Sequence, residues 1–223
     1  MEENNITRGE KFSGRAAKDV FTEVFAINDW SSTESHSGMG STLQFTQNTR
    51  ECLPKIWEHY GIKKVLDIGC GDFNWMKEIV SSLDYYKGID IVDGITHLNK
   101  ERHEVKGKVE FETCDIIEEC NYKARDFDAV ILKDVLVHFP TEVSSSVITK
   151  LKNIGIRYVF ITHFSETKEN LDLDAFGQWR PLNMSIDPFG LGSPIEIITE
   201  EVEEYVWEEK TMKDKTLSLW KIS

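Results

Sequence analysis

The chain has 223 residues and is 40% hydrophobic, enough for one large α/β domain with a real core and too few for two comfortable ones. Its 26 Lys and Arg stand against 39 Asp and Glu, a formal net charge of −13, which repels phosphate backbones; with no basic patch visible, nucleic acid is excluded as a partner. No apolar run is long enough to span a membrane, and Met1-Glu2-Glu3-Asn4 is no signal peptide. Cys52, Cys70, Cys114 and Cys120 show no CxxC or zinc spacing, so no metal site is expected and a reduced, cytoplasmic compartment is.

Residues 1–42 are polar and irregular and read as an N-terminal arm, followed by a single domain over 43–223. Phe21, Val24 and Phe25 can form one short amphipathic turn. Ser37-Gly38-Met39-Gly40-Ser41-Thr42 is a flexible, donor-rich loop, and with Trp30 and Met39 it reads as a lid over a ligand. Leu43 to Tyr60 has helical periodicity, with Ser41 or Thr42 as cap and Gly61 as stop. Arg50 on this helix can reach a ligand carboxylate.

From Lys63 strands and helices alternate. Strands are predicted at 63–68, 85–91, 109–113, 126–132 and 157–162, with helices at 73–81, 96–103 and 141–154. After an irregular stretch over 165–194, two strands at 201–209 and 216–222 are expected to form a hairpin turning near Met212–Asp214. The pattern describes a doubly wound, Rossmann-like, seven-stranded α/β sheet, mostly parallel with an antiparallel C-terminal hairpin.

Ligands in such sheets bind beyond the carboxyl ends of the strands. The first strand ends in Val65-Leu66-Asp67-Ile68-Gly69-Cys70-Gly71, with Trp75 close behind. Gly69 and Gly71 let a ligand approach the main chain, and a helix opening after them offers unpaired N–H groups around Asp72-Phe73. Asp90, about 20 residues on, suits ribose hydroxyls. Asp115 suits an exocyclic adenine amine, with Ile91 and Ile116 on the ring faces. The fourth strand ends in Lys133-Asp134, followed by His138, and the fifth in His163. A dinucleotide turn asks for a third glycine where this chain has Asn74. A phosphate-free nucleotide lifts that requirement, and Asp67 suits its cationic end. A nicotinamide dehydrogenase is disfavoured on the same two counts, Asn74 and Asp115.

With these residues in place, 62–222 resembles a class I S-adenosylmethionine-dependent methyltransferase: VLDIGCG, YKGIDI, TCDI and FDAVILKDVLVHFP stand where that family has its first four motifs. The resemblance implies that Asp67, Gly69 and Gly71 line the methionine end of S-adenosylmethionine, that Asp90 holds the ribose and Asp115 the adenine amine, and that Lys133-Asp134 frames the methyl. Ser41, Thr42, Arg50 and Trp75 are further candidate cofactor contacts. SGMGSTL, TRECLP, GDFNWM, QWRPLNMSIDPF and DKTLSLW resemble a narrower bacterial and viral group, many of whose members stand near glycan assembly. That group often has Arg-Asp where this chain has Lys133-Asp134.

Methyl transfer to a hydroxyl needs alignment and a base. His138 and His163 are the candidates, with Asp134 as an alternative base or as the orienter of a histidine. Trp179, Arg180 and Asn183 in the long loop suit a sugar ring: an aromatic face, a forked donor and an amide. The expected reaction is O-methylation of a sugar or glycan hydroxyl, such as that of a deoxyhexose like rhamnose. The alternatives are a non-glycan small-molecule acceptor and a non-catalytic nucleotide-binding module.

Overall fold

In the computed structural model, residues 7–118, 122–200, 206–207, 210–211 and 213–223 are described. The parallel strands are β1 (Lys64–Ile68), β2 (Tyr85–Asp90), β3 (Val109–Thr113), β4 (Ala129–Leu132) and β5 (Tyr158–Phe164). Their β-branched and aromatic runs suit a pleated, doubly covered surface; all four residues of β4 and all seven of β5 are buried. Side chains alternate between the two faces as the pleat requires. Val130, Leu132, Val159 and Ile161 face one core. Ala129, Ile131, Tyr158 and Phe160 face the other.

Helices cover both faces. The first core is closed by α4 (Asp93–His103) and α5 (Thr141–Ile154), through Ile95, Val147, Ile148 and Leu151. The second is closed by α3 (Gln47–Tyr60), through Leu53 and Trp57. Gly61 ends α3 in the left-handed region at φ 65°, with Ile62 N–H donating to the Trp57 carbonyl at 2.8 Å.

The sheet order is β3-β2-β1-β4-β5-β9-β6, where β6 is Glu196–Thr199 and β9 is Lys215–Lys221. β9 runs antiparallel to both β5 and β6. Val206–Trp207 (β7) and Lys210–Thr211 (β8) make a separate two-stranded ladder. The seven-stranded Rossmann-like sheet is as expected, but the partner of β9 at the sheet edge is β6, a four-residue strand that the sequence did not announce. Most of the expected strand at 201–209, and Met212 of its turn, lie outside the described residues.

Two further expectations are corrected. The N-terminal region holds two helices, α1 (Arg8–Phe12) and α2 (Ala17–Ala26). Phe12, Val20 and Val24 are buried against Ala175, and Phe21 enters the first core. No α-helix follows the glycine turn: Phe73 takes φ 60°, and only 3-10 turns form at Met76–Glu78 and Val80–Ser82. Phe73, Trp75, Met76 and Ile79 bury themselves in the second core instead, so packing overrides helical periodicity there.

Candidate active site

Strand order reverses between β1 and β4, so a crevice opens beyond their carboxyl ends. A cavity of about 210 Å³ lies there, walled by the strand ends, by residues 37–41 and by aromatic side chains. Gly69 and Gly71 turn the chain at φ 70° and 55°. A Cβ on Gly69 would come within 2.6 Å of Val135 Cγ2, and one on Gly71 within 2.1 Å of Ser37 Oγ. Asp90 braces this turn: its oxygens accept from Gly71 N–H at 3.1 Å and Val92 N–H at 3.0 Å. Burial raises the Asp90 pKa against those backbone donors. Asp115 accepts from Ile117 N–H at 2.8 Å, and Lys150 of α5 pins the carbonyls of Ile116 and Ile117 at 2.8 and 2.7 Å. Asp90, Ile91, Asp115 and Ile116 all line the cavity, as do Ser41, Gly69, Gly71, Lys133, Asp134, His138 and Trp179.

Several expected site residues are not on its wall. Asp67 is buried beneath the turn, where the Tyr86 hydroxyl donates to it at 2.7 Å. Its partner is therefore a neutral phenol, and burial pushes its pKa up to about 7 despite that hydrogen bond. Trp75 is core. Arg50 donates to the Leu43 carbonyl of its own helix entry at 2.8 Å. Thr42 is buried and donates to the Met39 carbonyl. His163 is buried; its Nδ1 accepts from Met184 N–H at 3.1 Å and its ring packs edge-on against Trp220. Arg180 donates to the carbonyls of Leu171 and Leu136 at 2.5 and 3.3 Å, and Asn183 to those of Ser165 and Thr167 at 3.2 and 2.9 Å. Asn183 thus holds the 165–194 loop to itself, and Arg180 holds it both to itself and to the segment after β4. The free N–H groups expected near Asp72 are also engaged: Asp72 N–H donates to Ser37 Oγ at 2.9 Å.

Residues 30–45 roof the crevice. The Asp72 carboxylate accepts from Ser35 Oγ, His36 N–H and Ser37 Oγ at 3.0, 2.8 and 3.3 Å. Glu34 accepts from Asn74 Nδ2 and Leu43 N–H at 2.6 and 2.7 Å. Asn74, where a dinucleotide turn has glycine, is thus a clasp for the roof.

At the β4 corner Asp134 takes φ 56°. One of its oxygens meets the ammoniums of Lys133 at 2.7 Å and Lys215 at 2.8 Å, and the other accepts from Thr162 Oγ1 at 3.1 Å. Both lysines also reach the buried Glu200, at 3.1 and 2.9 Å. Burial pushes the Asp134 carboxyl up, but the two ammoniums outweigh it and hold it well below the usual carboxylate range. An ionised, doubly paired carboxylate is a poor proton acceptor.

His138 is different. Its Nδ1 stands 2.8 Å from the Gln178 carbonyl, and a carbonyl only accepts. The proton is therefore on Nδ1 and the lone pair on Nε2. Burial pushes its pKa down to about 4, against the pull of the Gln178 carbonyl and Asp134, so the ring is neutral near pH 7. The Trp30 ring packs on it with centroids 5.5 Å apart, and Phe21, Phe139 and Trp179 continue this aromatic end of the cavity. Sequence reasoning placed Trp30 on a roof but missed Arg8, Phe21, Phe139 and Lys215 on the wall. Only the periodicity of Val20, Phe21 and Val24 pointed to a packed helix here. Among the described residues no group of three or more His, Cys, Asp or Glu can hold a metal, and no helix is long and apolar enough to cross a membrane.

Residues 65–154 match the family described as a methyltransferase domain. No curated protein matches the chain. Among solved structures, the magnesium protoporphyrin IX methyltransferase (ChlM) of Synechocystis PCC 6803 with bound SAM is 16% identical, with TM-score 0.65 over 93% of this chain and 98% of that one. The N-methyltransferase NodS of Bradyrhizobium japonicum WM9 in complex with S-adenosyl-L-homocysteine is 10% identical, with TM-score 0.63 over 92% and 98%. The 1,6-didemethyltoxoflavin-N1-methyltransferase of Burkholderia thailandensis is 14% identical, with TM-score 0.60 over 92% and 86%. At such identities the likeness shows the fold. The family match makes the domain an S-adenosylmethionine-dependent methyltransferase and the chain an enzyme. The cavity's chemistry fits that cofactor: carboxylates at the ends of β2 and β3, apolar Ile91 and Ile116 beside them, and bare glycine main chain at the turn.

Proposed function

We propose that the chain methylates a hydroxyl of an acceptor seated at the aromatic end of the cavity, with His138 as the base. The observation that carries this is the 2.8 Å contact between His138 Nδ1 and the Gln178 carbonyl, which leaves the Nε2 lone pair for the acceptor. S-adenosylmethionine supplies an electrophilic methyl on a sulfonium. Asp90 would hold its ribose, Asp115 its adenine amine, and Gly69, Gly71 and Ser41 its amino-acid end. Trp30 and Trp179 orient the acceptor and exclude water. As the new O–CH3 bond forms and the S–CH3 bond breaks, the hydroxyl proton passes to His138 Nε2. The Asp134 carboxylate stays ionised beside it and favours the imidazolium. The products are a methyl ether and S-adenosylhomocysteine.

For the acceptor, the aromatic lining favours a flat, apolar ring carrying a hydroxyl, as in a phenol. A sugar or glycan hydroxyl is the second reading. Arg180 and Asn183 no longer support it, since both are bound within their own loop, but Trp179 on the wall suits the CH face of a sugar. Calorimetry with S-adenosylhomocysteine tests the cofactor: no binding sinks the proposal. A methyl-transfer screen over phenols and glycosides then separates the acceptors. His138→Gln should keep cofactor affinity and lose about 10²- to 10⁴-fold in turnover; full turnover would remove His138 from the mechanism.

A further inference from the structure

We propose that Arg8 is a positioning residue for His138: its guanidinium ties together the two segments between which the imidazole is held. The proposal rests on the reading of His138 as the base.

The first segment is 177–178. Gly177 N–H donates to the His138 carbonyl at 3.1 Å, and the Gln178 carbonyl fixes Nδ1 at 2.8 Å. The second is 29–30. Trp30 packs on the imidazole at a tilt of 33°, and Asp29 precedes it. Arg8 Nη1 donates to the Gly177 carbonyl at 3.1 Å. Arg8 Nη2 reaches the Asp29 carbonyl at 3.4 Å and forms an ion pair with the Asp29 carboxylate. One planar fork thus bridges both walls of the ring, a geometry that a lysine's single ammonium does not reproduce.

The helix that presents Arg8 is built for this place. Five residues make no stable helix alone. α1 is held by a capping box, with Thr7 N–H donating to Glu10 at 2.9 Å and Glu10 N–H to Thr7 Oγ1 at 3.3 Å, and by the fully buried Phe12. Gly9 lets it press onto the 178 loop, since a Cβ there would lie 2.7 Å from Gln178 Nε2. Arg8 also lines the cavity. The charges facing His138 come from three elements: Arg8 on α1 and Lys215 on β9, which lower its proton affinity, and Asp134 at the β4 corner, which raises it.

The test is imidazole ¹⁵N NMR of the full chain, with His138 assigned by His138→Gln. The wild type should show the Nδ1–H tautomer at pH 7 and a protonation midpoint well below the ordinary 6.5. Arg8→Gln should mix in the Nε2–H tautomer and raise the midpoint by about half a unit or more, because a facing cation is gone and the ring is less enclosed. Arg8→Lys keeps the charge without the fork, so the tautomers should mix while the midpoint stays near the wild-type value. A folded Arg8→Gln with the wild-type tautomer and midpoint overturns the proposal. If that variant does not fold, Arg8→Lys decides: a wild-type tautomer overturns it, mixed tautomers support it. Calorimetry with S-adenosylhomocysteine keeps the two readings apart. A wild type that binds none ends the methyltransferase reading and leaves the NMR result standing on its own.

Discussion

Replacing Lys215 by Met removes one of two ammoniums from a buried cluster that otherwise sums to zero charge. Lys133 and Glu200 are only 4% and 2% exposed at the side chain, and Asp134 and Glu200 each bridge both lysines. The variant leaves two carboxylates facing one ammonium. Stranding a buried charge in this way costs about 3–5 kcal/mol, which with a urea m-value of about 2–3 kcal/mol/M lowers the midpoint by about 1–2.5 M. The pH dependence has a definite sign. Asp134 has a depressed folded pKa, so in the wild type its stabilisation is present above the unfolded value of about 3.9 and is lost only as pH falls through the lower folded value. In the variant the carboxyl titrates higher and can take a proton. The gap to wild type should therefore narrow between pH 7 and pH 5. Adding Glu200→Gln returns the cluster to zero charge and should recover part of the loss. Urea melts of the four proteins at both pH values check this. A Lys215→Met cost under about 1 kcal/mol, or a double variant whose losses simply add, would refute the buried-charge reasoning.

Asp67→Asn should be more stable than wild type at pH 8 and not at pH 4. With the folded pKa raised to about 7, wild-type stability is full below the unfolded value and falls as pH rises through 7, by up to about 4 kcal/mol; a difference independent of pH would contradict this. Gly71→Ala should cost at least about 1 kcal/mol from its φ of 55° alone. Because the new Cβ would strike Ser37 Oγ, Ser37→Ala in the same chain should recover some but not all of that loss in thermal melts. Asp72→Ala removes the acceptor for Ser35, His36 N–H and Ser37. Hydrogen exchange at the His36 amide should speed up and S-adenosylhomocysteine should dissociate faster; unchanged exchange would mean that the roof is held elsewhere.

The parallel core was legible because VLDI, AVIL and YVFIT are buried on both faces and read as continuous apolar runs. The helix expected after the glycine turn was not, because Phe73, Trp75, Met76 and Ile79 have helical spacing and yet gain more by entering the core in a tighter path. α2 was under-read as a single turn although Val20, Phe21 and Val24 repeat at helical spacing. At the site, the strand-end acids fell at the crevice because topology puts them there. Arg180 and Asn183 did not, because a forked donor in a loop looks the same in sequence whether it faces a ligand or its own carbonyls. The tautomer of His138 depends on a main-chain oxygen distant in sequence, which no side-chain motif records.

The inner place of β9 in the sheet bears on how the chain assembles during synthesis. β6 leaves the ribosome before β9, yet it touches the sheet only through β9. It can meet α3 first, through Asn48 Nδ2 to the Thr199 carbonyl at 3.1 Å and the Tyr60 hydroxyl to Glu196 at 2.9 Å, but it has no place in the sheet until the later strand pairs with β5. Until then Asp134 has the ammonium of Lys133 but not that of Lys215. The strand that completes the sheet also completes the electrostatics of the site, which ties the ability to work to the translation of residues past 215.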